Sequence, residues 1–289
     1  ISIVRKSDNY KQKLIDIISN EKINIVFLIN LEEESMDKLT AYCDEKAIRT
    51  KILIPYSSFG ENISNFDYLG NHIIIDIRHE PLLYLGNRIV KRIFDLTLSI
   101  LSIVLVLSWL PILVKIFQYF SYPGSLFFIQ ERIGKDGKVF KLYKFRTMYE
   151  SGETLKAKKG HSKITSQSDI RISVFGNFLR RTNLDEYPQF INVFFGTMSA
   201  IGPRPHMIGE DQILEKNIPR YRVRRFVKPG ITGWAAVNGF RGGTNNFKLM
   251  GKRTELDIWY LENWSIWLDI KIIFITIKQM LTLKIPKAY

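Results

Sequence analysis

From Leu96 to Val114 the chain carries no charged residue, only Thr97, Ser99, Ser102 and Ser108 as polar breaks. At about 1.5 Å per residue such a run approaches the thickness of a bilayer core. It must therefore face lipid or be buried in protein, and either outcome dictates how the rest packs. Lys91 and Arg92 stand on one side and Lys115 on the other, so flanking charge sets no direction of insertion. Pro111 removes a backbone hydrogen bond and invites a kink, and Ser108 can rejoin the freed backbone groups. The pattern predicts a bent helix over about 91–119 that enters and leaves a membrane on the same face. A straight span and a buried core helix are the alternatives.

Charge divides the chain near the same place. Through Gly86 there are 10 Lys and Arg against 13 Asp and Glu; from Asn87 onward there are 32 against 15. The second part thus faces something anionic: membrane, nucleic acid or a phosphorylated substrate. The first part, 1–86, alternates helix and strand, with apolar β-branched runs at Ile23 to Ile29, Ile48 to Ile54 and His72 to Ile77. That alternation predicts a parallel sheet with crossover helices. No glycine-rich dinucleotide fingerprint follows any strand, so no cofactor is assigned to it. The chain begins at Ile1 without a signal-peptide pattern, as a fragment or processed product does. Its single Cys43 excludes an internal disulfide and a cysteine-cluster metal site.

In the second part, 87–289, the segment Arg180-Arg181-Thr182-Asn183-Leu184-Asp185-Glu186-Tyr187-Pro188-Gln189 sets two adjacent carboxylates among arginines. Pro188 is tolerated only in a first turn, which puts the helix start at about Leu184 to Glu186. Asp185 then either caps that helix or shares its N-terminus with a phosphate. Phe127 to Phe145 reads as two strands joined at Asp136-Gly137. Lys144 and Arg146, two residues apart, would share a face and either hold a diphosphate or line a solvated edge. Ser151 to Ile170 is polar and reads as a mobile loop able to close over a substrate. Two prolines stiffen the loop presenting Arg204 in Gly202-Pro203-Arg204-Pro205. Arg220, Arg222, Arg224 and Arg225 alone would read as a nucleic-acid or anionic-lipid patch. From Ile258 to Leu283, Trp259, Tyr260, Trp264 and Trp267 among isoleucines suggest helices in the membrane interface, with packed core helices as the alternative.

Six elements occur in an order that resembles the bacterial sugar transferase family, the monotopic polyprenyl-phosphate sugar-1-phosphate transferases: Lys91-Arg92-Ile93-Phe94-Asp95, Phe128 to Gly134, Tyr143 to Met148, Leu184 to Gln189, Gly202 to Pro205, and Lys228-Pro229-Gly230-Ile231-Thr232-Gly233. The match runs from about Lys91 to the C-terminus. The first segment resembles the nucleotide-binding-like, Rossmann-like domain of the family's larger members, whose upstream transmembrane bundle is absent here. The resemblance implies an α/β protein: a Rossmann-like parallel module, then an α+β monotopic membrane catalytic domain with a re-entrant helix and amphipathic interfacial helices. It implies transfer of a hexose 1-phosphate from a UDP-sugar to undecaprenyl phosphate with release of UMP, at the cytoplasmic face of the bacterial inner membrane. Asp185 would be the nucleophile and Glu186 a ligand for Mg²⁺. Lys144, Arg146, Arg180, Arg204 and Gln189 would bind substrate, and Lys91, Arg92, Ser108 and Pro111 would belong to the membrane anchor. Membrane lipids and a homodimer are the expected partners, and nucleic acid is not. A nonenzymatic basic membrane-surface scaffold and another CDP- or UDP-linked lipid phosphotransferase are the competing classes.

Overall fold

A computed structural model describes residues 16–18, 23–29, 33–55, 67–70, 72–149, 171–240 and 246–282. The expected mobile loop over 151–170 lies outside them. The chain divides into two compact units, Ile1–His79 and Glu80–Tyr289, a division that falls slightly before the charge shift at 86/87.

In the first unit, strand β1 (Ile25–Ile29) leads through helix α1 (Glu33–Glu45) to strand β2 (Arg49–Pro55), which pairs with it in parallel. Strands β3 (Asp67–Leu69) and β4 (His72–Asp76) follow, and the sheet order is β1-β2-β4-β3. The sheet is mixed, not parallel throughout as the sequence suggested. β4 runs antiparallel to both β2 and β3. The tight reversal at Gly70, whose φ is +59°, returns the chain as a hairpin, with no room for a crossover helix. Leu39 and Cys43 of α1 pack on Val26, Leu28 and Ile48, leaving Ile25, Phe27 and Ile29 of β1 exposed on the opposite face.

The second unit is built around two helices, α2 (Leu85–Ser102) and α3 (Leu110–Ser121), joined by a π-helical turn at Ile103–Leu107. α2 is inverted relative to a helix on a water-facing surface. Lys91, Asp95 and Ser99, spaced by four, are buried, whereas Ile89, Val90, Ile93, Ile100 and Leu101 are exposed. No single helix among the described residues is long and apolar enough to cross a membrane; α2 with its π turn and α3 meet that standard only together, bent by 48°. The break lies before Pro111, which sits in the first turn of α3, where its missing N–H costs no helical bond. The Ser108 hydroxyl donates to Val104 O at 2.7 Å and Trp109 Nε1 to Leu105 O at 2.8 Å, so the interrupted carbonyls are satisfied locally.

Lys91 and Arg92 bind within the protein. Lys91 Nζ donates to Asp269 at 2.6 Å and to Ile201 O at 3.1 Å. Tyr260 and Trp264 donate to the same Asp269 carboxylate at 2.8 and 3.1 Å. Asp95 accepts from Ser199 Oγ at 2.9 Å and Ala200 N at 3.0 Å. Arg92 donates to Val193 O and Phe194 O, both at 2.7 Å.

Strands β5 (Phe127–Ile133) and β6 (Val139–Phe145) form the expected antiparallel pair about Asp136-Gly137. Helix α4 (Val174–Arg181), helix α5 (Gln189–Phe195) and strand β7 (Ser199–Ile201) follow, then helix α6 (Ile208–Asn217), strand β8 (Gly230–Thr232), the short helix α7 (Trp234–Val237), and helices α8 (Phe247–Glu262) and α9 (Ile266–Leu281). β7 and β8 pair in parallel. Beside them, a Cβ on Gly230 or Gly233 would collide with the backbone of Gly202, so this crossing requires glycine.

The aromatic C-terminal stretch divides at Asn263–Ser265, where Ser265 Oγ caps α9 by accepting from Leu268 N. α8 is a packed helix with Met250, Thr254, Asp257, Ile258, Tyr260 and Leu261 buried, and Trp264 beyond it is buried too. α9, with Trp267, Phe274, Ile277 and Leu281 exposed, keeps an outward apolar face, whereas on α8 the exposed Phe247, Leu249 and Trp259 are interspersed with exposed Lys248, Lys252 and Glu255.

Breaking a buried ion pair from one side strands the other charge. Lys91→Met is expected to destabilise the protein by about 3–5 kcal/mol, read as a lower midpoint in detergent-solubilised thermal unfolding. Adding Asp269→Asn to it should recover part of the loss.

Candidate active site

Ser173 caps α4, its Oγ accepting from Gly176 N at 2.8 Å. A Cβ on Gly176 would strike the Thr147 carbonyl, so the helix lies directly on the end of the β5–β6 hairpin. From the last turn of α4, Arg180 Nε donates to Thr147 Oγ1 at 2.8 Å. The chain then reverses at Asn183, in the left-handed conformation at φ +57°, a region asparagine tolerates. A 3-10 turn follows at Leu184–Glu186. α5 itself starts at Gln189, with Pro188 capping it, so the helix begins later than the sequence suggested. Three residues per 3-10 turn place Leu184 and Tyr187 on one face. Both pack against the core formed by Leu110, Val114, Phe145 and Leu179, and Asp185 and Glu186 point off that face.

The two carboxylates have opposite surroundings. Glu186 is buried, and both of its oxygens are engaged. Oε1 accepts from Lys144 Nζ at 2.7 Å and Arg204 Nη2 at 2.6 Å, and Oε2 accepts from Arg204 Nη1 at 3.1 Å. Burial works against ionisation of Glu186, yet Arg204 and Lys144 hold it well below the usual carboxylate range. The Asp185 carboxylate has no hydrogen-bond or ion-pair partner among the described residues. Burial pushes it up to about 6, aided by the neighbouring Glu186 charge and opposed by Lys144, Arg180 and Arg204. One carboxylate is neutralised and fixed; the other is unencumbered and can change protonation near neutral pH.

Lys144 is held in place by α5. Asn192 accepts from Tyr143 N at 3.1 Å and donates to Lys141 O at 2.7 Å, so its amide pairs with the free edge of β6. Arg204 is braced from behind. Its carbonyl accepts from Arg224 Nη2 at 2.7 Å, and Arg224 is held by Asp257 of α8 at 2.7 and 3.0 Å. Arg224 Nη1 donates to His206 Nδ1 at 2.9 Å. Burial and the surrounding arginines, Arg224 first, hold His206 well below its usual range, so the ring is neutral.

Arg146 is directed away from the carboxylates. β6 ends at Phe145, so strand alternation no longer applies, and the guanidinium is buried on the carbonyls of Tyr122, Ser125 and Met148 at 2.7, 2.7 and 3.1 Å. Gln189 is buried beside the turn, its Nε2 without a partner among the described residues. Three of the four arginines at 220–225 are tied to carboxylates, and Arg220 is exposed. Arg222 pairs with Glu215, Arg225 with Asp211 and Glu215, and Arg224 with Asp257. Asp211 and Glu215, four apart and so on one face of a helix, were the signal in the sequence for this neutralisation; the bracing role of Arg224 had none.

A magnesium ion does not fit Glu186 in this arrangement, because Lys144 and Arg204 already take both oxygens. No group of three or more His, Cys, Asp or Glu side chains able to hold a metal occurs among the described residues. Lys144, Arg180 and Arg204 around an unpaired Asp185 instead suit an anionic electrophile such as a phosphoryl group.

Because burial raises Asp185, the folded chain holds that proton more tightly than the unfolded chain. The resulting stabilisation is complete below about pH 4 and is lost as pH rises through about 6. Asp185→Asn is therefore expected to exceed the parent by about 1 kcal/mol above pH 7 and to match it near pH 4, in thermal melts across that range.

Residues 86–283 match the bacterial sugar transferase family. The chain is 45% identical over 196 residues to the UDP-glucose:undecaprenyl-phosphate glucose-1-phosphate transferase of Escherichia coli (strain K12), covering 66% of this chain and 40% of that protein. It is 35% identical over 277 residues to the protein of the same name from Xanthomonas campestris pv. campestris, covering 93% and 55%. It is also 35% identical over 194 residues to the UDP-N-acetylgalactosamine-undecaprenyl-phosphate N-acetylgalactosaminephosphotransferase of Aeromonas hydrophila, covering 67% and 44%. The chain thus spans about half the length of these relatives. With the family's residues covering the bent helix pair, the acidic turn and the arginine loop alike, the chain belongs to the bacterial sugar transferase family.

Proposed function

We propose that the chain carries the catalytic unit of a polyprenyl-phosphate hexose-1-phosphate transferase, using a UDP-hexose as donor and undecaprenyl phosphate as acceptor in exopolysaccharide assembly. The observation that carries this reading is the unpaired Asp185 among three cations beside a neighbour already neutralised. An Asp185 oxygen attacks the sugar-proximal phosphorus of the donor, forming an acyl phosphate as the bond to UMP breaks and UMP leaves with the electron pair. Lys144, Arg180 and Arg204 meet the charge that gathers on the transferred group and on UMP. An acceptor phosphate oxygen then attacks the same phosphorus, and Asp185 departs as a carboxylate. Glu186 acts by positioning, since its charge holds Lys144 and Arg204 at the reacting centre.

The inverted helix α2 supports a membrane seat for this chemistry. Its polar row is satisfied by the protein and its apolar row faces outward, which suits a bent pair dipping into the inner membrane from the cytoplasmic face. The names of the relatives favour UDP-glucose as the first donor to test. For the first unit we keep the reading of a Rossmann-like accessory module.

The experiment is lipid-dependent UMP release from UDP-sugars in vesicles. Asp185→Asn should lower turnover by at least about a thousandfold while leaving cosedimentation with the vesicles unchanged; surviving activity would rule out the covalent step. Since the nucleophile must be ionised, kcat/KM of the parent should rise with pH through about 6 and then level off.

A further inference from the structure

Helix α4 carries a feature that the acidic turn does not use. Gly176 and Leu179 face inward, while Val174, Phe178 and Arg181, at spacings of four and three, form one exposed stripe. Val174 is 90% and Phe178 53% exposed, on a face where a water-exposed helix carries polar groups. Phe178 stacks on Phe175 with centroids 6.1 Å apart, and Phe175 stacks on Phe117 of α3 at 4.8 Å. Phe117 is itself half-exposed, next to the more exposed Phe120. The rings thus form a ladder from the outward apolar face of the bent helix pair to α4, whose last turn carries Arg180 and Arg181, directly ahead of Asp185.

We propose that this ledge seats the isoprenoid chain of the acceptor, with Phe178 and Val174 against the chain and Arg181 at the phosphate end; the proposal rests on the transferase reading above. A molecule with a long apolar tail and one terminal phosphate has the same order of chemistry as the ledge: apolar rungs first, cations next, carboxylate last. Bulk phospholipid or a second copy of the chain would cover the rings, and a phospholipid headgroup would also meet a cation, but neither has a terminal phosphate to bring to the acidic turn. The ledge also separates the substrates, since Lys144 and Arg204 approach Asp185 from β6 and the Gly202–Pro205 loop.

The test uses the chain in phosphatidylethanolamine and phosphatidylglycerol vesicles with a diazirine-bearing polyprenyl phosphate, and maps the label by peptide mass spectrometry. Labelling of 174–181 is expected, displaced by excess undecaprenyl phosphate and reduced about tenfold by Phe178→Ala. In turnover assays the same variant should raise KM for undecaprenyl phosphate by a similar factor and leave KM for the UDP-sugar unchanged. Labelling confined to other segments, labelling unaffected by Phe178→Ala, or displacement by phospholipid alone would each overturn the ledge. Turnover without labelling of α4 removes the ledge and keeps the transferase; specific labelling without turnover for any donor does the reverse.

Discussion

A lysine ammonium held inside protein costs several kcal/mol unless a counter-charge meets it, and the second unit is organised around meeting that of Lys91. Its contacts with Asp269 and Ile201 O join the bent helix pair, strand β7 and helix α9 at one buried point. Ile201 ends β7, and the Gly202–Pro205 loop starts at the next residue. That loop carries Arg204, whose guanidinium fixes Glu186. The bent helix pair and the arginine that pairs with Glu186 are therefore held in one frame.

Adjacent carboxylates ordinarily share an environment, and here they do not. The 3-10 turn separates them: Leu184 and Tyr187 go into the core, Glu186 goes to two cations, and Asp185 is left with none of its own. A nucleophile tied in a bidentate ion pair would have to break it before reacting. One left fully exposed would be ionised but solvated. Partial burial near three cations, with the nearest counter-charge already spent on Glu186, keeps Asp185 both ionisable and accessible.

Local features were legible in the sequence. Pro188 indicated a helix start beside the acidic pair, a few residues early, Asp136-Gly137 a hairpin, and Pro111 with Ser108 a break, because each rests on backbone chemistry within a few residues. Long-range pairing was not. Lys91 and Arg92 read as flanking cations of a membrane segment because the partner of Lys91 is 178 residues away. Arg146 read as a companion of Lys144 because alternation was carried one residue past the strand's end. Arg222, Arg224 and Arg225 read as part of an open patch because the carboxylates that neutralise them belong to α6 and α8. β4 read as parallel because periodicity reports a strand but not its direction.

The glycine crossing at Gly202, Gly230 and Gly233 has a consequence for the order in which this protein is made. Lys144 and Arg180 leave the ribosome before Asp185 and Glu186, and Arg204 follows Glu186 by 18 residues. The Arg204 loop gains its packing partner when the segment around Gly230 and Gly233 arrives against Gly202, and Lys91, with Asp95 at 3.7 Å in its own helix, gains its closer carboxylate with Asp269. The candidate site is thus completed by residues that lie C-terminal to its acidic turn.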